Sequence, residues 1–149
     1  VLFIDKTYFI IIDIAKGQAT GKIDVHFQLK EDSKPTYNAQ KKLVATNYED
    51  GNNLLIQNLD FDGNSKLLQE ETKVSYFYQK EMARPALSFQ KEKVDNKDTR
   101  SITVLYPYGT NEVPKISITK NKDCNLETGN FSINVKVNGK IRTVNAKLF

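Results

Sequence analysis

Along most of the chain apolar and polar residues alternate one by one, and no stretch repeats its apolar positions at the three-and-four spacing of a buried helix face. Val25, Phe27 and Leu29 alternate with Asp24, His26 and Gln28, and Phe131, Ile133 and Val135 alternate with Asn134 and Lys136. A period of two is what a strand with one buried face demands, because successive side chains leave the backbone on opposite sides. The pattern predicts strands at 2–4, 8–14, 23–30, 42–47, 53–58, 67–78, 86–91, 100–106, 115–119, 131–137 and 140–148. Turn formers separate them: Lys16-Gly17, Asp50-Gly51-Asn52, Asp62-Gly63-Asn64, Pro107-Tyr108-Gly109 and Asn138-Gly139. Roughly ten short strands at regular spacing predict an all-β chain, an antiparallel β-sandwich, as a single domain over residues 1–149.

The last hairpin allows two registers. A two-residue turn at Asn138-Gly139 sets Val135 across from Arg142, whereas a three-residue turn with a glycine bulge sets Val135 across from Ile141. The second keeps the apolar face continuous and is the expectation here. It would place Asn134, Lys136, Lys140 and Arg142 in or near one exposed, positive surface.

Composition narrows the chemistry. Seven Gly and four Pro in 149 residues are too few for a linker or a low-complexity tract. The longest apolar run, Tyr8-Phe9-Ile10-Ile11-Ile12, stops at Asp13, far short of the roughly 20 residues of a membrane span. One cysteine, Cys124, excludes an internal disulfide, and one histidine, His26, excludes any site that needs two imidazoles from this chain. Neither a Ser-His-Asp arrangement nor a phosphate loop nor a dinucleotide glycine pattern occurs. The sequence has no initiator Met, and Val1-Leu2-Phe3-Ile4 already reads as a strand; the expectation is a piece of a longer parent whose site lies partly upstream.

Charge is uneven. Residues 113–149 hold Lys115, Lys120, Lys122, Lys136, Lys140, Arg142 and Lys147 against Asp123 and Glu127, more than the whole chain's net +4. A positive patch attracts polyanions, while the plain alternative is a solvated strand face whose lysines guard sheet edges.

Two segments suggest a family. Tyr8-Phe9-Ile10-Ile11-Ile12-Asp13, followed by Gly17 and Val25-His26-Phe27-Gln28-Leu29, resembles the start of the C-terminal β-domain of heparinase II/III-like polysaccharide lyases. Ser75-Tyr76-Phe77-Tyr78-Gln79-Lys80, with Arg84-Pro85-Ala86-Leu87-Ser88-Phe89 behind it, is similar to the downstream motif of that family. Ile102-Thr103-Val104-Leu105-Tyr106-Pro107-Tyr108 resembles the strand that follows. The resemblance implies an upstream helical toroid in the same parent chain, an acidic polysaccharide of heparan sulfate type, and cleavage by β-elimination. It further implies a periplasmic or secreted bacterial protein, with no nucleic acid partner. In the family a tyrosine and a histidine move the protons and an asparagine-like donor neutralises the uronate, from the toroid and from a segment preceding the point where this sequence starts. None of these matches a residue here, so the chain by itself is expected to be inactive. The competing expectation is a free-standing carbohydrate-binding or adhesive β-sandwich module.

Candidate site residues follow. Tyr76, Tyr78 and Arg84, with Lys136, Lys140 and Arg142, are candidates for substrate contact, because ring faces stack on pyranoses and cations meet uronates. Packing of the rings and an ion pair of Arg84 with Glu81 or Glu92 are the plain alternatives. Asp13 and His26 would donate to a structural divalent metal completed by upstream residues, such as some members of the lyase group hold; the alternative is a histidine bonded to a backbone carbonyl. Asp60, Asp62, Asn64 and Glu71 loosely mimic a calcium loop, but the misplaced Gly63 favours a plain turn.

Overall fold

The computed structural model describes residues 1–59, 61, 63–109 and 112–149. Asp60 and Asp62 of the calcium-like stretch lie outside the described residues. Twelve strands and no helix occur among those described: β1 (Leu2–Ile4), β2 (Tyr8–Ala15), β3 (Gly21–Gln28), β4 (Thr36–Asn38), β5 (Leu43–Ala45), β6 (Asn53–Asn58), β7 (Lys66–Phe77), β8 (Lys80–Lys93), β9 (Thr99–Tyr108), β10 (Ile116–Lys120), β11 (Asn130–Val137) and β12 (Lys140–Lys147). All pairings are antiparallel, as the alternation required. The strands fall into two compact units, Val1–Asn111 and Glu112–Phe149.

The first unit is a sandwich of a six-stranded sheet, β1-β2-β9-β6-β5-β4, and a three-stranded sheet, β3-β8-β7. Its core forms where the inward positions of the two sheets meet. Leu29, Leu87 and Phe89 from one side pack with Val44 and Ile56 from the other, joined by Phe27, Tyr37, Leu67 and Leu105. Phe27 and Phe89, opposite neighbours' neighbours on β3 and β8, meet edge to face at 6.0 Å between centroids. The run Tyr8–Ile12 is apolar at every position because β2 presents side chains on both faces, Tyr8 and Ile10 to one and Phe9 and Ile11 to the other.

Strand β8 begins earlier than its sequence suggests. The expected strand starts at residue 86, yet Pro85 already sits within β8 opposite Glu71. The register explains why it is tolerated. β3 pairs with β8 only as far as Gln28 and Ala86, and the Leu29 N–H then donates to the Pro85 carbonyl. The missing donor of Pro85 therefore falls where the β3 ladder ends, and the ribbon of β7 and β8 continues without it.

The second unit is the sheet β10-β11-β12. Here the expected bulge is not found: β11 and β12 pair Val137 with Lys140 and Val135 with Arg142 across a two-residue turn. Asn138 (φ 47°) and Gly139 (φ 89°) both occupy the left-handed region, the conformation of a turn whose twist matches the strands it joins. Turn geometry thus overrides continuity of the apolar face, and Ile141 is left 66% exposed opposite Lys136.

Core burial leads to a direct expectation. Phe89 is 1% exposed at the centre of the sandwich, so Phe89→Ala should destabilise the chain by about 3–5 kcal/mol. Urea unfolding followed by circular dichroism measures this, and a midpoint equal to that of the unsubstituted chain would place Phe89 outside the core.

Candidate functional site

Turning Val25, Phe27, Leu87 and Phe89 inward sets Asp24, His26 and Ser88 on the outer face of the three-stranded sheet. Register then sets His26 opposite Ser88, and Glu70 of β7 opposite Ala86, one step along the same face. Glu70 joins them: one carboxylate oxygen lies 3.0 Å from His26 Nδ1, and the Ser88 hydroxyl donates to the other at 2.5 Å. Beside this trio the Gln90 side-chain amide donates to Asp24 at 2.9 Å. The order of the groups decides their chemistry. A nucleophilic relay needs the imidazole between hydroxyl and carboxylate, whereas here the carboxylate stands between and Ser88 is fully buried. The trio holds three strands together and does not activate the serine. The histidine's partner is a carboxylate 44 residues away, in place of the backbone carbonyl considered from sequence.

Asp13 is elsewhere. It borders a small cleft of about 190 Å³ between the two sheets of the first unit, with Ile23, Val25, Lys91, Thr99 and Ser101. Val25 points into that cleft while its neighbour His26 points away, so the strand separates the two proposed metal ligands. Among the described residues no three His, Cys, Asp or Glu side chains gather as a metal would need. Asp13 and His26 therefore do not meet in one site of this chain.

Tyr76, Tyr78 and Arg84 belong to the ribbon formed by the outer parts of β7 and β8. Tyr78 is 91% exposed in the turn, and the Tyr76 hydroxyl donates to Glu31 at 3.2 Å. Partial withdrawal from water raises the Tyr76 pKa, the Glu31 bond and charge raise it further, and Arg84 and Lys30 oppose the rise. Glu81 pairs with Lys73 across the ribbon at 2.7 Å. Arg84 instead lines a groove of about 260 Å³ with Pro35, Tyr37, Gln69, Glu70 and Glu71, its Nε buried without a hydrogen bond. Two carboxylates against one guanidinium leave this groove unattractive to a polyanion.

The remaining candidates are in the second unit, where the charge is concentrated. Residues 112–149 hold seven Lys and Arg against three Asp and Glu, whereas residues 1–111 hold fifteen of each. The acidic three, Glu112, Asp123 and Glu127, all lie outside β10, β11 and β12, whose titratable side chains are entirely basic. The register divides the cations. Lys140 and Arg142 share a face with Val137 and Val135, and Lys136 lies on the other, so the single positive surface expected from the bulge is replaced by two. The Lys136 face also carries a chain of fixed amides and hydroxyls that the sequence reading missed. Thr143 donates to Asn134, Asn134 to Asn121, Asn121 to Ser132, and Ser132 to Asn145. Its signal was the period-two recurrence of Ser132 and Asn134 on one strand and of Thr143 and Asn145 on the next.

No protein-family model matches the chain. Over 144 residues, 97% of its length, it is 47% identical to a heparin-sulfate lyase of Pedobacter heparinus and covers 22% of that protein. It is 33% identical over 150 residues to a heparin-sulfate lyase of Bacteroides stercoris, again covering 22% of the relative. A crystal structure of heparan sulfate lyase HepC from Pedobacter heparinus matches 98% of the chain with a TM-score of 0.92 at 45% identity, using 23% of that structure. The chain thus spans just over a fifth of the curated relatives it matches, and the matching part is their C-terminal region.

The Tyr76–Glu31 bond has a testable pH sense. Because the folded-state pKa of the phenol is raised, the contribution of this contact is present below the ordinary phenol pKa of about 10 and is lost as pH climbs through the raised value. Glu31→Gln should move the Tyr76 midpoint down while leaving it above that of a free phenol, as read by NMR titration of the ring carbon. An unmoved midpoint would remove Glu31 from the account.

Proposed function

We propose that the chain, homologous to the C-terminal region of heparin-sulfate lyases, is the C-terminal β-sandwich of a bacterial heparinase II/III-like enzyme cleaving a uronate-containing polysaccharide of heparan sulfate type by β-elimination. The observation that carries the proposal is sequence identity of 47% sustained over 97% of the chain. In this reading the domain packs against an upstream helical toroid, supports it and borders the substrate cleft. A polymer of that size is met outside the cytoplasm, which fits a periplasmic or secreted enzyme.

β-Elimination removes the proton beside the uronate carboxyl group. It needs a positioned base and a donor or cation that stabilises the charge built up on the carboxyl oxygens. The arrangement of this chain supports a role around that step and outside it. His26, its one imidazole, is bonded through Nδ1 to Glu70, and a uronate brought to it would meet that carboxylate. The second unit suits a different task. Five cations and no carboxylate on its three strands raise the local concentration of a sulfated chain without touching the reacting carbon. Lys136, Lys140 and Arg142 are the side chains assigned to this attraction, on two faces of the sheet.

The division of labour is tested by assaying the full-length protein and residues 1–149 alone on heparan sulfate, following the ultraviolet absorbance of unsaturated uronate products. Absorbance should rise with the full-length protein and stay flat with residues 1–149, folded by far-ultraviolet circular dichroism. Product from the fragment would place reacting groups within it, and no product from the full-length protein would end the lyase reading.

A further inference from the structure

The outer part of β7 and β8 is a two-stranded ribbon. β3 flanks β8 only from Ala86 onward, so residues 74–84 have no third strand beside them. Two strands alone are marginal in water, yet this ribbon is braced at its base. Lys73 pairs with Glu81 across it, the Ser75 hydroxyl donates to the Phe77 carbonyl, and Tyr76 is tied to Glu31. Above these braces the tip is bare and apolar. Tyr76 is 55% exposed, Phe77 70%, Tyr78 91% and Met82 41%, so four of the ten exposed large hydrophobic side chains of the described residues fall within seven consecutive positions.

An arm ending in three aromatic rings and a methionine has the composition of an interaction element. A polyanion is a poor occupant. Near the tip Lys30 is paired with Asp32 and Lys73 with Glu81, so its four exposed apolar side chains and not a cluster of cations set its chemistry. The relatives, in contrast, are more than four times as long as this chain, so most of such a protein is polypeptide that these residues do not include. We propose that the β7–β8 tip docks this domain onto the rest of its own parent chain, with Phe77 and Tyr78 entering an apolar recess there and Tyr76 and Met82 sealing its rim. The inference rests on the reading of the chain as part of a larger lyase and adds which element makes the joint.

Phe77 and Tyr78 touch little within the domain, so replacing them there costs little. Any effect in the full-length protein then comes from what they touch outside it. The double variant Phe77→Ser/Tyr78→Ser of the full-length protein should split its calorimetric unfolding into two transitions and speed limited proteolysis of the native protein about tenfold or more, the loss expected from uncovering two buried rings. The conservative Tyr78→Phe should leave both readouts at the starting values. Unchanged unfolding and proteolysis in the double variant would overturn the proposal. So would a change in sedimentation from dimer to monomer with unfolding unchanged, which assigns the tip to a second copy, or weakened heparan sulfate binding with unfolding unchanged, which assigns it to sugar. Lyase activity is scored separately: a split transition in a protein without activity keeps the joint and ends the lyase reading, whereas an active protein insensitive to the double variant does the reverse.

Discussion

The burial of Leu87 and Phe89 against the facing sheet is the constraint from which the rest follows. These two side chains fix which way every residue of β8 points, because a strand has only two faces and a one-residue slip would expose the whole apolar set. Ser88 must then point outward, where β3 brings His26 and β7 brings Glu70. The pairing of β7 with β8 continues outward, with a one-residue shift between Val74 and Phe77, and carries the aromatic tip beyond the reach of β3. The polar trio and the apolar arm are therefore two consequences of one packing decision at the centre of the sandwich.

Electrostatics separates the chain into parts with different uses. The first unit is balanced, and three carboxylates of its smaller sheet are engaged with neighbours: Glu70 with His26 and Ser88, Glu81 with Lys73, Asp24 with Gln90. Exposed pairs of this kind contribute little to stability, on the order of 0–1 kcal/mol each, but they cancel the local field. The second unit carries seven Lys and Arg against three Asp and Glu, so its net charge is positive and acts over roughly a Debye length of 8 Å at physiological salt. On the proposed reading, attraction of an acidic polymer and attachment to the remaining polypeptide fall to different surfaces.

Much of this was legible before any coordinates. The all-β class and eleven of the strands follow from period-two alternation, which is a direct imprint of a half-buried sheet. β4 escaped because Thr36-Tyr37-Asn38 is too short to show a period. The start of β8 escaped because residues 80–85, Lys-Glu-Met-Ala-Arg-Pro, show no apolar alternation. The hairpin register was misjudged because an argument from apolar continuity competes with the preference of Asn-Gly for a twisted two-residue turn, and the turn prevails at the cost of exposing Ile141. The partner of His26 was beyond sequence reading altogether. Glu70 lies 44 residues away, and only cross-strand register, which a single sequence does not encode locally, brings it within 3.0 Å.

The central claim is that these residues contribute support, docking and charge while the reacting groups come from elsewhere in the protein. His26→Gln in the full-length protein, the lyase of the proposed reading, tests it most directly, since this is the one imidazole available in the chain for moving a proton. The account predicts kcat on heparan sulfate within about twofold of the unsubstituted enzyme across the pH profile. A fall of about 10²–10⁴, the usual contribution of a general acid or base, would contradict it.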